Sequence, residues 1–254
     1  MSLIELHLAQ YAPGFWASSP ARMAVGGAVT VAFALLGRVV RGVSLSGAIA
    51  GALICLILLC TAGPGAFLVL FSLFVVTWIA TRLGRSRKQT LGTAERREGR
   101  TAAQVFANLS VAALCGLVYA MRADAMWLVA MVAAMAEVAT DTVASECGQA
   151  FSREARLITT FQRVPAGTDG GISIAGTFFG IGAGIVISLV GMVCGLVSMR
   201  WLWVPVVAGV LGMLADSVLG AWLERRRWLN NEQVNLTGTM IAAAIVVGAV
   251  GLIA

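Results

Sequence analysis

Residues 141–180 read DTVASECGQAFSREARLITTFQRVPAGTDGGISIAGTFFG. The run before them, LVAMVAAMAEVAT (128–140), and the glycine-rich run that closes the segment both read as membrane helix. Between them lie Asp141, Glu146 and Asp169, three arginines and a cluster of glycines. Carboxylates at the edge of a bilayer are costly and mark function by default. This segment therefore decides two things: the chain is built of membrane helices, and its chemistry lies at one end of them.

The rest of the chain agrees. Hydrophobic residues make up 59% of it and charged residues only 12%, which is the composition of an integral membrane protein. Apolar runs predict an all-α, polytopic bundle of about eight transmembrane helices, near 22–37, 45–60, 65–82, 102–121, 124–144, 171–195, 203–222 and 236–254. The second is short and could tilt or re-enter. The whole chain, 1–254, reads as one integral membrane domain without an internal repeat. The first 20 residues lack the pattern of a secretory signal and read as an interfacial helix anchored by Trp16.

The net charge of +6 is a matter of topology rather than nucleic-acid binding. Arg38 and Arg41 follow the first span. Arg82, Arg85, Arg87, Lys88, Arg96, Arg97 and Arg100 follow the third. Arg153, Arg156 and Arg163 follow the fifth, and Arg225, Arg226 and Arg227 the seventh. Only Arg22, Arg122 and Arg200 fall on the opposite side. The positive-inside rule then makes those four connections cytoplasmic and puts both termini outside. The expected location is a bacterial inner membrane. Five cysteines without a CxxC pair, and His7 as the one histidine, leave no Cys/His zinc site in the pattern.

With that topology the polar residues gather near one leaflet. Glu137, Asp141 and Ser145 share a helical face at i, i+4 spacing. Asp216 falls in the cytoplasmic half of span seven. Arg100, Gln104 and Asn108 form a stripe down the first turns of span four, and Asn235 stands where span eight begins. Converging carboxylates repel unless a cation sits between them, and Mg²⁺ typically takes one or two carboxylates plus phosphate oxygens. Glu137, Asp141 and Asp216 are the carboxylates that converge in this way. The turn RVPAGTDGG (163–171) opens a helix, as phosphate-binding turns do, although no Walker A pattern is present. Gly180, Gly182 and Gly184, farther along, read as helix packing.

Five blocks carry a family resemblance: GRTAAQVFAN (99–108), DTVASECG (141–148), LITTFQRVPAGTDGGISIAGTFFG (157–180), GMLADSVLGAWLE (212–224) and NNEQVNLTGT (230–239). In this order they resemble the membrane family that includes transmembrane protein 19 and the plant chloroplast phytyl-phosphate kinase of vitamin E synthesis. They are more distantly similar to dolichol and phytol kinases. The resemblance implies an isoprenoid-monophosphate kinase that uses a nucleoside triphosphate, CTP by likeness to those kinases, with Mg²⁺. It implies catalytic roles for Asp141, Glu146 and Asp169, with Asp141, Glu146 and Asp216 as the expected metal ligands. Nucleotide phosphates would be held by Arg163, Gly167, Thr168, Gly170, Gly171, Ser173, Gly176 and Thr177. Arg163 stands in for lysines that the related turns carry. The lipid phosphate would meet Arg97, Arg100, Gln104, Asn108 and Asn235. The implied partners are the nucleotide, an isoprenoid monophosphate and membrane lipids, with a homodimer left open. A CDP-lipid-forming nucleotidyl transferase and a transporter of lipid or small anions are the rival classes.

Overall fold

The computed structural model describes residues 19–251. The interfacial helix expected around Trp16 lies outside them. The helices are α1 (Pro20–Val39), α2 (Leu45–Arg82), the short α3 (Arg85–Leu91), α4 (Ala102–Arg122), α5 (Met126–Phe151), α6 (Ile174–Val193), α7 (Trp203–Leu219) and α8 (Asn231–Gly251). Among the described residues seven helices are long and apolar enough to cross a membrane. The chain is a polytopic helical membrane protein.

The seven helices make eight passes, because α2 is folded in two. Gly63 has φ 76° and ψ −167°, outside the helical region, and Pro64 follows it as the first residue of a new helix. The indole of Trp78 donates to the carbonyl of Val40 at 3.2 Å, and Arg82 donates to the same carbonyl. Val40 lies five residues before the start of α2, yet it touches the end of α2. A straight helix of this length would hold its ends about 57 Å apart. The legs 45–62 and 64–82 therefore run back along each other. Each is about 27 Å long, close to the ~30 Å of a hydrocarbon core. This is the pair of spans expected on either side of residue 62.

Helix α5 is the axis of the bundle. It packs against α2, α4, α6, α7 and α8, and every residue from 128 to 140 is buried. Its seam with α6 is built on glycines. A Cβ on Gly176 would lie 2.4 Å from the Ala144 carbonyl oxygen, one on Gly180 would lie 2.6 Å from that of Thr140, and one on Gly191 would lie 2.9 Å from Val132. The pairs run in opposite directions along the two helices, so these are antiparallel neighbours in near-backbone contact. Gly184 packs on Thr140 in the same way, whereas Gly182 faces open space.

The lipid-facing surface carries exposed Leu35, Ile49, Leu114, Phe178 and Val207. Exposed tryptophans stand at both ends of the pass made by α7 and the turn after it, Trp203 at one end and Trp222 at the other. Their separation along the helix is about 28 Å, the spacing of two aromatic belts.

The connection from α5 to α6 is not the open glycine turn that its composition suggested. Glu154–Leu157 (β1), Arg163–Pro165 (β2) and Gly171–Ile172 (β3) form a small antiparallel sheet in the order β2-β1-β3. Ala155 pairs with Val164, and Leu157 with Gly171. The inward side chains Ala155 and Leu157 are buried. Helix α6 begins at Ile174, three residues later than the apolar run suggested, because Ser173 caps it by accepting from the Gly176 N–H at 3.1 Å.

Candidate active site

Four membrane-spanning helices begin at the end of the bundle that carries the basic connections, and each has a polar cap. Ser44 caps α2, and Ser173 caps α6. Thr101 and Gln104 form a reciprocal capping box on α4. Asn230 and Gln233 exchange two 2.9 Å hydrogen bonds at the start of α8. The positive ends of α4, α6 and α8 open onto one cavity, lined there by Arg100 and Gln104, by Ser173 and Thr177, and by Asn231 and Asn235. The last turns of α5 supply Asp141, Ser145, Glu146 and Gln149, and α7 supplies Asp216 and Ser217. The sheet connection closes the cavity with Gly167, Thr168, Asp169, Gly170 and Gly171.

Asp216 and Glu137 meet below this floor. Glu137 is 2% exposed and fills a slot left by glycines on α7 and α8. A Cβ on Gly212 would lie 2.5 Å from its Cγ, and one on Gly238 would lie 2.6 Å from its Oε1 and 3.5 Å from the Asp216 Cβ. Glu137 Oε1, Asp216 Oδ2 and Gln149 Oε1 are buried oxygens without a hydrogen-bond partner among the described residues. Leaving such acceptors bare costs free energy, and a cation in the cavity would relieve it. The donor set is all oxygen, which suits a hard divalent ion. Among the described residues no three His, Cys, Asp or Glu side chains are grouped closely enough to hold a metal unaided. A Mg²⁺ ion would therefore complete its shell with phosphate oxygens and water.

The cavity wall bears Glu95, Asp141, Glu146, Asp169, Asp216 and Glu224 against Arg100 as its one arginine. A polyphosphate could not enter such a wall without accompanying cations. Arg100 is fixed through its backbone: its N–H donates to the Gly42 carbonyl at 3.1 Å, and its carbonyl accepts from Ser44 at 2.9 Å. About two turns into the bundle, Asn108 accepts from Asn235 at 3.0 Å, which ties α4 to α8.

Most of the expected residues meet here, and some do not. Arg163 lies on β2 opposite Arg156, on the outer face, and pairs with Glu154 at 3.4 Å with its side chain 70% exposed. Arg97 is exposed and lies outside the cavity wall. Gly176 is buried in the α5–α6 seam. Glu146 lines the cavity, but its Oε2 is held by Lys88. Gln104 is occupied by its cap and by Glu95 at 3.4 Å. The glycine turn spends donors on itself, since Gly171 N–H bonds to the Thr168 carbonyl and Thr168 Oγ1 to the Pro165 carbonyl, each at 2.8 Å. Glu224 and Glu95 were not singled out in the sequence. Glu224 comes inward because Gly220–Glu224 is a single π-helical turn, a feature frequent at functional sites. The Gly220 within LGAWLE was the available signal.

The pattern Integral membrane protein DUF92 matches residues 28–243. The chain belongs to this family. It is 36% identical to Uncharacterized membrane protein sll0875 of Synechocystis over 191 residues, which cover 73% of this chain and 74% of that one. Protein VTE6, chloroplastic, of Arabidopsis thaliana is 29% identical over 221 residues, covering 82% of this chain and 65% of that protein. Uncharacterized membrane protein MJ0933 of Methanocaldococcus jannaschii is 31% identical over 231 residues, covering 88% and 92%. No solved structure matches. The match to the family takes in α4 to α7 whole and the start of α8, and so the full cavity wall.

Proposed function

We propose that the protein is an isoprenoid-monophosphate kinase that takes its phosphoryl group from a nucleoside triphosphate, with CTP the favoured donor. One observation carries the reading: Asp141 of α5 and Asp216 of α7 meet in a cavity that also receives Arg100 and the starts of three helices. Carboxylates for a metal and positive helix ends for phosphate then share one membrane-edge site. The family resemblance to the plant phytyl-phosphate kinase supplies the substrate class, and the likeness to dolichol and phytol kinases supplies CTP.

In this reading an ionised oxygen of the lipid phosphate forms a bond to the γ-phosphorus. The bond from that phosphorus to the β-phosphate oxygen breaks, and the nucleoside diphosphate leaves with the electron pair. The nucleophile is already an anion, so no strong general base is required. Positioning and charge neutralisation supply the rate. Asp141 and Asp216 would hold Mg²⁺, which when bound screens the nucleotide phosphates. Asp169 and Glu224 add negative charge at the rim and favour the metal complex over the free nucleotide. Arg100 faces the transferred group and offsets its charge. Ser173 and Thr177 present hydroxyls at the start of α6. In this reading the cavity, at the end bearing the basic connections, faces the cytoplasm of a bacterial cell, in keeping with the positive-inside rule.

The test is product analysis. Purified protein in detergent is incubated with γ-labelled CTP, UTP, GTP or ATP and a panel of prenyl monophosphates. The expected products are a labelled prenyl diphosphate and a nucleoside diphosphate. Release of pyrophosphate with a CDP-linked lipid would overturn the kinase in favour of a nucleotidyl transferase.

A further inference from the structure

A second cavity opens at the same end of the bundle and shares a wall with the first. Its inner surface is apolar, with Phe33 of α1, Leu70 and Phe74 of the second leg of α2, and Leu109 of α4. Its rim carries five arginines: Arg41, Arg82, Arg85, Arg96 and Arg100. The two cavities have Glu95, Arg100 and Asn108 in common.

The charges are sorted between them. The first wall holds six carboxylates and one arginine, while the second holds five arginines and one carboxylate, Glu95. A topogenic role asks only that arginines lie on the cytoplasmic side. It does not ask that five from four separate segments ring one apolar opening. Arg82 is held in place by the Val40 carbonyl and by the Trp78 ring, 4.3 Å from its guanidinium carbon. Arg41, Arg85 and Arg96 make no side-chain hydrogen bond or ion pair among the described residues. Guanidinium groups left open at the headgroup level, above a greasy cavity between helices, match an amphiphile with a phosphate head.

We infer that this second cavity, not the carboxylate cavity, binds the isoprenoid monophosphate. The phosphate sits among Arg41, Arg85 and Arg96, and the tail passes down between α1 and the legs of α2. This rests on the kinase reading for the identity of the ligand. The carboxylate cavity takes the metal-bound nucleotide, and Arg100 stands in the shared wall between donor and acceptor. Gln104 and Asn235, which line only the carboxylate cavity, then act on the nucleotide side. Gly51 lies on the tail path, where a Cβ would meet no atom within 4 Å. A larger side chain can therefore start into the cavity there without a clash at its Cβ.

The experiment is equilibrium binding of radiolabelled geranylgeranyl monophosphate to the full chain in nanodiscs, without nucleotide. Inorganic phosphate and dioleoyl phosphatidic acid serve as competitors. Removing one charged contact in Arg96→Gln is expected to weaken binding about tenfold. Gly51→Phe is expected to weaken geranylgeranyl monophosphate more than geranyl monophosphate, since the shorter tail stops above the added ring. Phosphatidic acid competing as well as the prenyl ligand would overturn the assignment by showing a general phospholipid site. Unchanged prenyl-phosphate binding in both variants would overturn it too. Arginine-dependent binding with no phosphoryl transfer to it from any nucleoside triphosphate would support the site and sink the kinase reading alone.

Discussion

The ammonium of Lys88 lies 2.5 Å from Oε2 of Glu146, with the lysine side chain 1% exposed. The same ammonium donates to the carbonyls of Ala80 and Thr81 at 3.1 and 2.8 Å. Three acceptors thus satisfy its three protons, and α3 is fastened to the ends of α2 and α5. Arg87 adds bonds to the Ala150 and Ser152 carbonyls. This fastening places residues 92–100, and hence Arg96 and Arg100, over the two cavities.

A double-mutant cycle follows from that pair. Lys88→Met leaves Glu146 uncompensated and should cost about 3–5 kcal/mol, as for other broken buried pairs. Glu146→Gln should cost less, and the double variant should recover part of the loss. Thermal unfolding in detergent reads all three. Full stability in Glu146→Gln with activity abolished would instead make Glu146 a direct metal ligand.

Asp141→Asn and Asp216→Asn keep size and remove charge. Each should lower phosphoryl transfer on the order of 100-fold or more while the protein stays folded and inserted. The remaining activity should need more Mg²⁺ for half-saturation. Chelation of Mg²⁺ should abolish turnover in the wild type. Near-normal turnover in both variants would show these carboxylates to be structural.

Gly170 has φ 72°, and a Cβ there would lie 2.4 Å from the backbone nitrogen of Ala221. Gly170→Val should therefore destabilise the protein by about 1–3 kcal/mol through strain and overpacking. That loss should precede any selective effect on nucleotide use. Thr168→Ala, which removes only one hydroxyl bond within the turn, should give a modest rise in nucleotide KM. Gly170→Val with wild-type stability and a raised nucleotide KM alone would restore a phosphate cradle at this turn.

Eight passes put Pro20 and Gly251, the outer ends of α1 and α8, on one side of the membrane. A membrane-impermeant thiol reagent on intact cells should label Asp124→Cys and miss Arg226→Cys, in a background with the five native cysteines replaced. A reporter fused at Ala254 that works only in the cytoplasm should stay silent. The opposite labelling pattern would invert the orientation.

The sequence by itself determined the membrane class, the depth of each polar residue and the end of the bundle where they gather. Hydropathy and the alternation of arginines encode position along the membrane normal, and i, i+4 spacing placed Glu137 with Asp141 and Arg100 with Asn108. Only the tertiary structure decided which faces meet. Arg163 turned outward on β2, Lys88 closed on Glu146, Glu224 turned inward through a π-helical turn, and four arginines parted from the carboxylate cavity to ring a second one, with Arg100 in the wall between. The physical reason is that a one-dimensional pattern fixes depth but not azimuth. The order of helices around α5, and the register of each, are set by where glycines permit close approach and where short connections such as the Gly63 hairpin reverse the chain. Those contacts join residues far apart in sequence, so they exist only once the helices have packed.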